Sequence, residues 1–457
     1  MGYSAPLPGR LREEPGEGAQ SVGEQQLTPA VGQSTACPQC GAEVPDDKRF
    51  AKWCTACDWN VDPGDKEPVR GRFEKAQRRL AHRYGEQLHA RLLAGDTASD
   101  SASRQQDRSG ILARAVALAV HTVTVALAVG GVLLIVLGPG IQPFLGGILL
   151  VTAVVLRPRF GKLRPDGPVL HRADAPRLYA LVDEVSSSVG TQGVDVVVVD
   201  AQYNASVATH GLKGRRSLHI GLALWEVLDP QERVALLGHE LGHYANGDVR
   251  HGRLVGTALH SLHHWLYFLT PVPTLYRRRT VPELAAAALI SVPRSVVHAV
   301  ALLLEGLALR GSQRSEYLAD RAAVRVGSAA AATRMMDRLL IGNSITTALR
   351  TESVRAQARI SGADPQAAAD GLWERIAERA ATVSEREYER LRRVSVLRGH
   401  SVDSTHPPTH LRRHLMEVGE PAAPTVVVDP ETAAAIATEL APARVALARQ
   451  VIRDQAG

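Results

Sequence analysis

Aromatic side chains are scarce. Only 4% of the 457 residues are Phe, Trp or Tyr, although 45% are hydrophobic. Any core or membrane-embedded surface must therefore be built mainly from Ala, Val and Leu. Lysine is nearly missing as well: of 53 basic residues, only Lys48, Lys52, Lys66, Lys75, Lys162 and Lys213 are Lys. The formal net charge is a modest +6. No dense basic block interleaved with aromatics occurs, so no nucleic-acid partner is expected. Cysteine is limited to Cys37, Cys40, Cys54 and Cys57. That clustering excludes a scattered disulfide framework and points to a reducing compartment and a local metal knot. The first long apolar run begins only near residue 111, too late for the core of a cleaved signal peptide.

Residues 1–35 are rich in Pro, Gly, Glu and Gln and lack the apolar density to offset ordering entropy, so disorder is expected there. Residues 36–62 hold two Cys-x-x-Cys pairs separated by 13 residues. Each pair suits a tight turn that aims both thiolates at one ion, and two turns complete the tetrahedral four-sulfur set that zinc prefers. Cys37, Cys40, Cys54 and Cys57 are thus candidate ligands of a structural zinc in a ribbon-like module. The competing reading is free or redox-active thiols. A closed four-sulfur site has no open position, so it would hold structure or a protein partner rather than catalyse.

Residues 63–109 are expected to be a polar helical linker. The run "ILARAVALAVHTVTVALAVGGVLLIVL" (111–137) then exceeds the roughly 20 residues needed to cross a bilayer. After "GPG", the shorter run 141–156 is suited to return, so 110–157 is expected to be a transmembrane hairpin. A buried core hairpin is the alternative. Basic residues precede 111 and recur in "RPRFGKLRP" after 156, whereas the connecting turn has none. Both ends are therefore expected in the cytoplasm. Two further apolar runs, within 254–309, carry His260, His263, His264, Arg294 and His298, with three Arg at 277–279 between them. They suit a second hydrophobic hairpin, partly embedded or spanning. The C-terminal stretch 421–457 ends in an Ala-rich helix without evident chemistry and is expected to be a tail.

Between 170 and 250 the pattern alternates helix and short strand. "VDVVVVD" and "SLHIG" suit strands. In "DPQERVALLGHELGHYANGD", Asp229 suits the N-cap, Pro230 the first helical position and Glu232 the first turn. "HELGH" then falls well inside a helix, with His239 and His243 at i and i+4 on one face. That spacing suits one Zn²⁺ bound through two ring nitrogens, with Glu240 beside it as general base. Gly242 keeps the neighbouring helix surface slim. Two solvated histidines on a surface helix are the bland alternative, and a third ligand is needed to decide. "SEYLAD" supplies one: Glu316 as ligand, with Asp320 one turn later placed to fix a histidine tautomer. A solvated charged face would explain Glu316 and Asp320 taken alone.

"HELGHYANGD", "SEYLAD" and "STHPPTHLRR" (404–413), in that order and separated by apolar runs, resemble the HtpX family of membrane-bound zinc metalloendopeptidases, whose clan includes the CaaX prenyl endopeptidases. The resemblance covers about residues 110–420 and implies a peptidase domain at 158–420. It implies His239, His243 and Glu316 as ligands of a catalytic Zn²⁺, Glu240 as catalytic base and Asp320 behind the ligands. It further implies that His406 points into the site and that Arg412 supports it or binds substrate. Asn204, in "NASVATHG", is implied at the substrate cleft. Ser206 and Val207 stand where an aromatic-small pair is usual, and Arg413 where an aliphatic residue is common. The expected fold class is mainly α with a small β-sheet, an integral-membrane zinc metallopeptidase with an N-terminal zinc-ribbon-like module. Expected partners are protein or peptide substrates, the lipid bilayer and a protein recruited by the ribbon. The expected location is a bacterial cell membrane, crossed more than once, with the site and N-terminus facing the cytoplasm. A latent or non-catalytic membrane protein and a prenyl-protein endopeptidase are the alternatives.

Overall fold

The computed structural model describes residues 34–64, 72–94, 108–157, 163, 165–211, 213–246, 248–270, 281–359, 369–399, 406–419 and 423–454. Nearly all of the segment expected to be disordered, the three Arg at 277–279 and most of "RPRFGKLRP" lie outside the described residues. The chain divides into two units between Pro63 and Gly64.

In the first unit, β1 (Ser34–Ala36) pairs antiparallel with β2 (Glu43–Pro45), Thr35 facing Val44. The four cysteines form no disulfide. Each Cys-x-x-Cys turn ends on a left-handed residue, Gly41 at φ 75° and Asp58 at φ 57°. Gly adopts this conformation freely and Asp tolerates it, which lets the chain curl back under its two sulfurs. Val44, Trp53 and Cys54 are buried around the turns.

The second unit begins with three helices: α1 (Arg72–Leu93), α2 (Arg108–Leu137) and α3 (Gln142–Leu156). An α/β segment follows: β3 (Val169–Leu170), α4 (Pro176–Val189), β4 (Val196–Asp200), β5 (Ala205–His210), β6 (Arg215–Gly221) and α5 (Leu222–Trp225). Next come α6 (Pro230–Ala245), α7 (Asp248–Phe268) and α8 (Val281–Gly327). The rest is helical: α9 (Ala329–Leu340), α10 (Gly342–Arg359), α11 (Leu372–Ala381), α12 (Glu385–Arg398), α13 (Thr409–Val418) and α14 (Pro430–Asp454). The fold is mostly helical with a small sheet.

That sheet has strand order β3-β4-β6-β5, with β4 and β6 parallel and the other pairs antiparallel. All of Val196–Asp200 is buried, as expected of a parallel strand covered on both faces. The main core joins this sheet to α4, α6 and the helices from α9 onward. The C-terminal stretch belongs to it, which corrects the expectation of a tail. Ile436, Leu440 and Leu447 of α14 are buried there. Glu439 accepts hydrogen bonds from the backbone N–H groups of Arg177 and Leu178 at 2.7 and 2.9 Å, capping α4 from outside.

A second apolar cluster joins α2, α7 and α8 through Ala117, Val120, Leu262, Trp265 and Leu304. His121 is bonded there to Thr257 at 3.1 Å. Two helical stretches, Ser109–Leu137 and Ala288–Gly327, are long and apolar enough to cross a membrane, and α3 is shorter. Their outer faces expose Leu118, Val136, Phe144, Val151, Leu289 and Val292. The apolar run 284–309 and the "SEYLAD" motif are not separate elements. They are consecutive parts of the single 47-residue helix α8.

Candidate metal centre

Helix α6 starts as the sequence suggests. Asp229 and Glu232 form a reciprocal capping box and Pro230 occupies the first turn. Glu232 does more than cap. It is fully buried and receives Arg334 at 3.0 Å and Arg338 at 3.4 Å, which ties the start of α6 to α9. His239 and His243 then project from one face, near the middle and end of the helix.

What brings a third ligand to them is a close helix crossing. Gly238 and Gly242 face Ala319, Ala322 and Ala323 of α8. A Cβ on Gly242 would lie 3.0 Å from the Ala322 Cβ and 3.1 Å from the Ala319 Cα. Side chains larger than glycine would hold the axes apart and withdraw α8 from the histidines. At the observed separation, His239 Nε2 and His243 Nε2 are 3.3 Å apart. Glu316 Oε2 is 3.6 Å from the first, and Oε1 is 3.6 Å from the second. Tetrahedral zinc with Zn–N bonds of about 2.0–2.1 Å separates its ligand atoms by about 3.3–3.4 Å, so the set fits that ion. Glu316 Oε2 is buried and makes no hydrogen bond.

Both imidazoles are held from behind. His239 Nδ1 lies 3.1 Å from Asp320 Oδ1. His243 Nδ1 lies 3.3 Å from Ser315 Oγ. Each of these contacts turns Nε2 toward Glu316. Asp320 is in turn clamped by Arg412, whose Nη2 and Nε donate to its two oxygens at 2.6 and 2.9 Å. Burial pushes the Asp320 carboxyl up, but the charge and hydrogen bonds of Arg412 outweigh it and hold the group well below the usual carboxylate range. Arg412 Nη1 also reaches Glu316 Oε2 at 3.3 Å. Its side chain is 3% exposed. Arg412 therefore lies behind the ligands, and the expectation that it contacts substrate does not fit that placement.

His406 lies on the other side, with Nε2 3.2 Å from Glu316 Oε1. The buried Pro407 and Pro408 connect it rigidly to α13. Glu240 is buried on α6 between the two histidines. Asn204 is exposed immediately before β5, the strand at one edge of the sheet, and its carbonyl accepts from Gly221 N–H at 2.9 Å. Tyr244 of α6 donates to the Ala208 carbonyl at 2.6 Å, so this edge runs beside the metal-site helix. Sequence reasoning missed Ser315, although it adjoins Glu316. It also missed Tyr203, whose hydroxyl donates to the Arg338 carbonyl at 2.6 Å and anchors the Asn204 segment.

In the first unit, Cys37 Sγ is 3.7 Å from Cys57 Sγ, and Cys40 Sγ is 3.6 Å from Cys54 Sγ. A four-sulfur zinc site with Zn–S bonds of about 2.3 Å separates its sulfurs by about 3.7–3.8 Å, so this set also fits.

The model of peptidase family M48 matches residues 172–417, more than half of the chain. Among curated proteins, the chain is 24% identical over 190 residues to a protease HtpX homolog of Methanothermobacter thermautotrophicus, covering 42% of this chain and 69% of that protein. It is 31% identical over 80 residues to one from Syntrophobacter fumaroxidans (18% of this chain, 28% of that protein). It is 33% identical over 90 residues to one from Tropheryma whipplei (19% of this chain, 30% of that protein). No solved structure matches significantly.

Proposed function

Since the chain belongs to peptidase family M48 and is a metalloprotease, we propose that it is a membrane-anchored zinc endopeptidase acting at the cytoplasmic face on membrane or misfolded proteins. The observation that carries this reading is the convergence of His239, His243 and Glu316 on one point, with Glu240 beside them. The exposed apolar surfaces of α2, α3 and α8 support anchoring in a bilayer.

His239, His243 and Glu316 would hold the catalytic zinc. When bound, zinc supplies a Lewis acid that lowers the pKa of water and polarises a peptide carbonyl. The Glu240 carboxylate takes a proton from the attacking water as its oxygen bonds to the carbonyl carbon. Glu240 then gives that proton to the departing nitrogen as the C–N bond breaks. His406 donates toward the oxygen that becomes negative. Asn204 and the open edge of β5 receive the substrate backbone as an added strand. Asp320 and Arg412 keep the His239 ring in one orientation throughout. Cys37, Cys40, Cys54 and Cys57 hold a structural zinc in a module that recruits a protein partner.

The test is casein or self-cleavage by detergent-purified chain, wild type beside Glu240→Gln, with zinc counted in both. The expected result is about two zincs per chain in each protein and cleavage only by the wild type. Cleavage at a normal rate by the variant would refute the role of Glu240.

A further inference from the structure

Helix α1 lies outside the residues matched to family M48, yet it packs on the elements that build the metal centre. On α8, Gln313 and Tyr317 are i and i+4, so they share one face, and both are buried. Gln313 Nε2 donates to the Ala81 carbonyl at 2.8 Å, and the Tyr317 hydroxyl donates to the Gly85 carbonyl at 3.5 Å. Glu316, the carboxylate of the centre, lies between these two positions in sequence. A Cβ on Gly85 would come within 3.1 Å of Pro408 Cδ, so α1 also presses on the Pro407–Pro408 turn that joins His406 to α13. From outside, α1 thus braces two of the segments that meet at the centre.

The joint between α1 and α13 is made of imidazoles. His82 and His89 are i and i+7 on α1, and His410 and His414 are i and i+4 on α13. His89 Nε2 lies 3.1 Å from His414 Nδ1. That hydrogen bond needs one proton, because one ring donates and the other accepts. A proton on both nitrogens leaves two donors, each on a charged ring, facing one another. His410 hydrogen-bonds the Ser395 backbone, and its Nδ1 is buried without a hydrogen-bond partner. Charging that ring would bury an N–H with nothing to receive it. The groups facing the joint are His82, Glu86 and His89 from α1, His410 and His414 from α13, Tyr317 and the neutral Gln313 from α8, and the Ser395 and Gly399 backbones from α12. Arg413 is turned to Asp337 and Glu417 instead. Burial, reinforced by the charge of His414, holds His89 below the usual imidazole range. Burial, reinforced by His82 and His89, does the same to His410 against the pull of Glu86.

We propose that α1 is a proton-operated clamp on the peptidase centre: it is closed while the imidazoles between α1 and α13 are neutral, and it opens when they take up further protons. Gln313 and Tyr317 are positioning residues that tie α1 to the turn of α8 bearing Glu316. Opening withdraws the outer support of that turn and of the Pro407–Pro408 turn. Docked imidazoles bind a proton more weakly than undocked ones, so docking is complete above the ordinary histidine pKa of about 6.5 and weakens as pH falls through it. Glu86 opposes this as one carboxylate facing several imidazoles. A single histidine that docking keeps neutral weakens docking about tenfold at pH 5.5. The consequence for Glu316 and His406 rests on the peptidase reading above; the docking equilibrium does not.

The measurement is deuterium exchange of the full chain in detergent at pH 7.5 and pH 5.5, corrected for the intrinsic pH dependence of exchange. Protection of the α1 amides at 81–89 should fall on the order of tenfold or more at the lower pH, while the α14 amides in the main core change by less than about threefold. The His89→Gln/His414→Gln variant replaces the titrating pair with amides that hydrogen-bond but take up no proton, so its α1 protection should fall by less than about threefold. Should that variant be undocked already at pH 7.5, His414→Gln alone, at an exposed position, is held to the same limit. Gln313→Ala leaves every imidazole in place and should move the opening to higher pH by about half a unit or more; an unmoved opening would remove its positioning role. None of these readouts depends on cleavage, so an inactive chain can pass them and an active one can fail. Wild-type α1 equally protected at both pH values, a loss shared equally by α14, or a Gln variant that opens as far as wild type would overturn the proposal.

Discussion

Replacing Arg412 by Met isolates the part of the site that touches neither substrate nor the ligand cluster from the front. Arg412 and Asp320 are 3% and 2% exposed and joined by two hydrogen bonds of 2.6 and 2.9 Å. Taking away the guanidinium leaves Asp320 as a buried carboxylate whose remaining partner is the His239 ring, 3.1 Å away. Breaking a buried pair from one side costs about 3–5 kcal/mol, because the surviving charge stays desolvated. At about 2.1 cal/mol/K of unfolding entropy per residue, a unit of about 390 residues moves its melting midpoint by about 1.2 °C per kcal/mol. The Arg412→Met protein should therefore melt roughly 4–6 °C below wild type, followed by intrinsic fluorescence in detergent. Zinc should leave its centre faster as well, because Asp320 can escape the penalty by protonating and then no longer orients His239 as before. Adding Asp320→Leu removes the stranded charge, so the double variant should recover more than half of the lost stability while staying deficient in zinc. A single variant within about 2 °C of wild type, or a double variant less stable than the single, would show that this pair is not what stabilises the back of the site.

Further outcomes are expected. Cys37→Ser/Cys40→Ser should remove one zinc per chain and leave the other, read by metal analysis; loss of both ions would contradict independent sites. Ser315→Ala should weaken the His/Glu centre for zinc on the order of tenfold in chelator competition, with no change in melting beyond about 2 °C. Gly242→Val forces a branched side chain against Ala319 and Ala322. It should destabilise by about 1–3 kcal/mol and empty the centre, and a variant that retained full zinc and activity would disprove the close-crossing argument.

The chemistry of the site was legible where it is local in sequence. His239 and His243 share a helical face by spacing alone, and Asp229, Pro230 and Glu232 mark where that helix begins. The four cysteines announce themselves by clustering. What could not be read is whatever depends on distant segments meeting. Ser315 looks like any serine until helix α8 sets it against His243. Glu232 reads as a capping residue, and its burial beneath Arg334 and Arg338 follows only from the placement of α9. The family resemblance leaves Arg412 either supporting the site or binding substrate, and its burial against Asp320 favours the supporting role. The packing of the C-terminal stretch is hidden for a related reason. Its Ala-rich composition gives weak amphipathic contrast, although Leu440 and Leu447 are fully buried in the core.

Helix α8 runs from an exposed apolar flank near Leu289, past Pro293, to Glu316. At 1.5 Å per residue, those positions are about 40 Å apart. Such a rod is a lever. Pivoting it by about 3° at the apolar end would sweep Glu316 through roughly 2 Å, ten times the ±0.2 Å within which a metal ligand must be held. On the proposed reading, the His239–His243–Glu316 set is thus geared to whatever surrounds Leu289 and Val292. A bilayer that thins, thickens or shears around that flank would change ligand geometry without touching a single residue of the set.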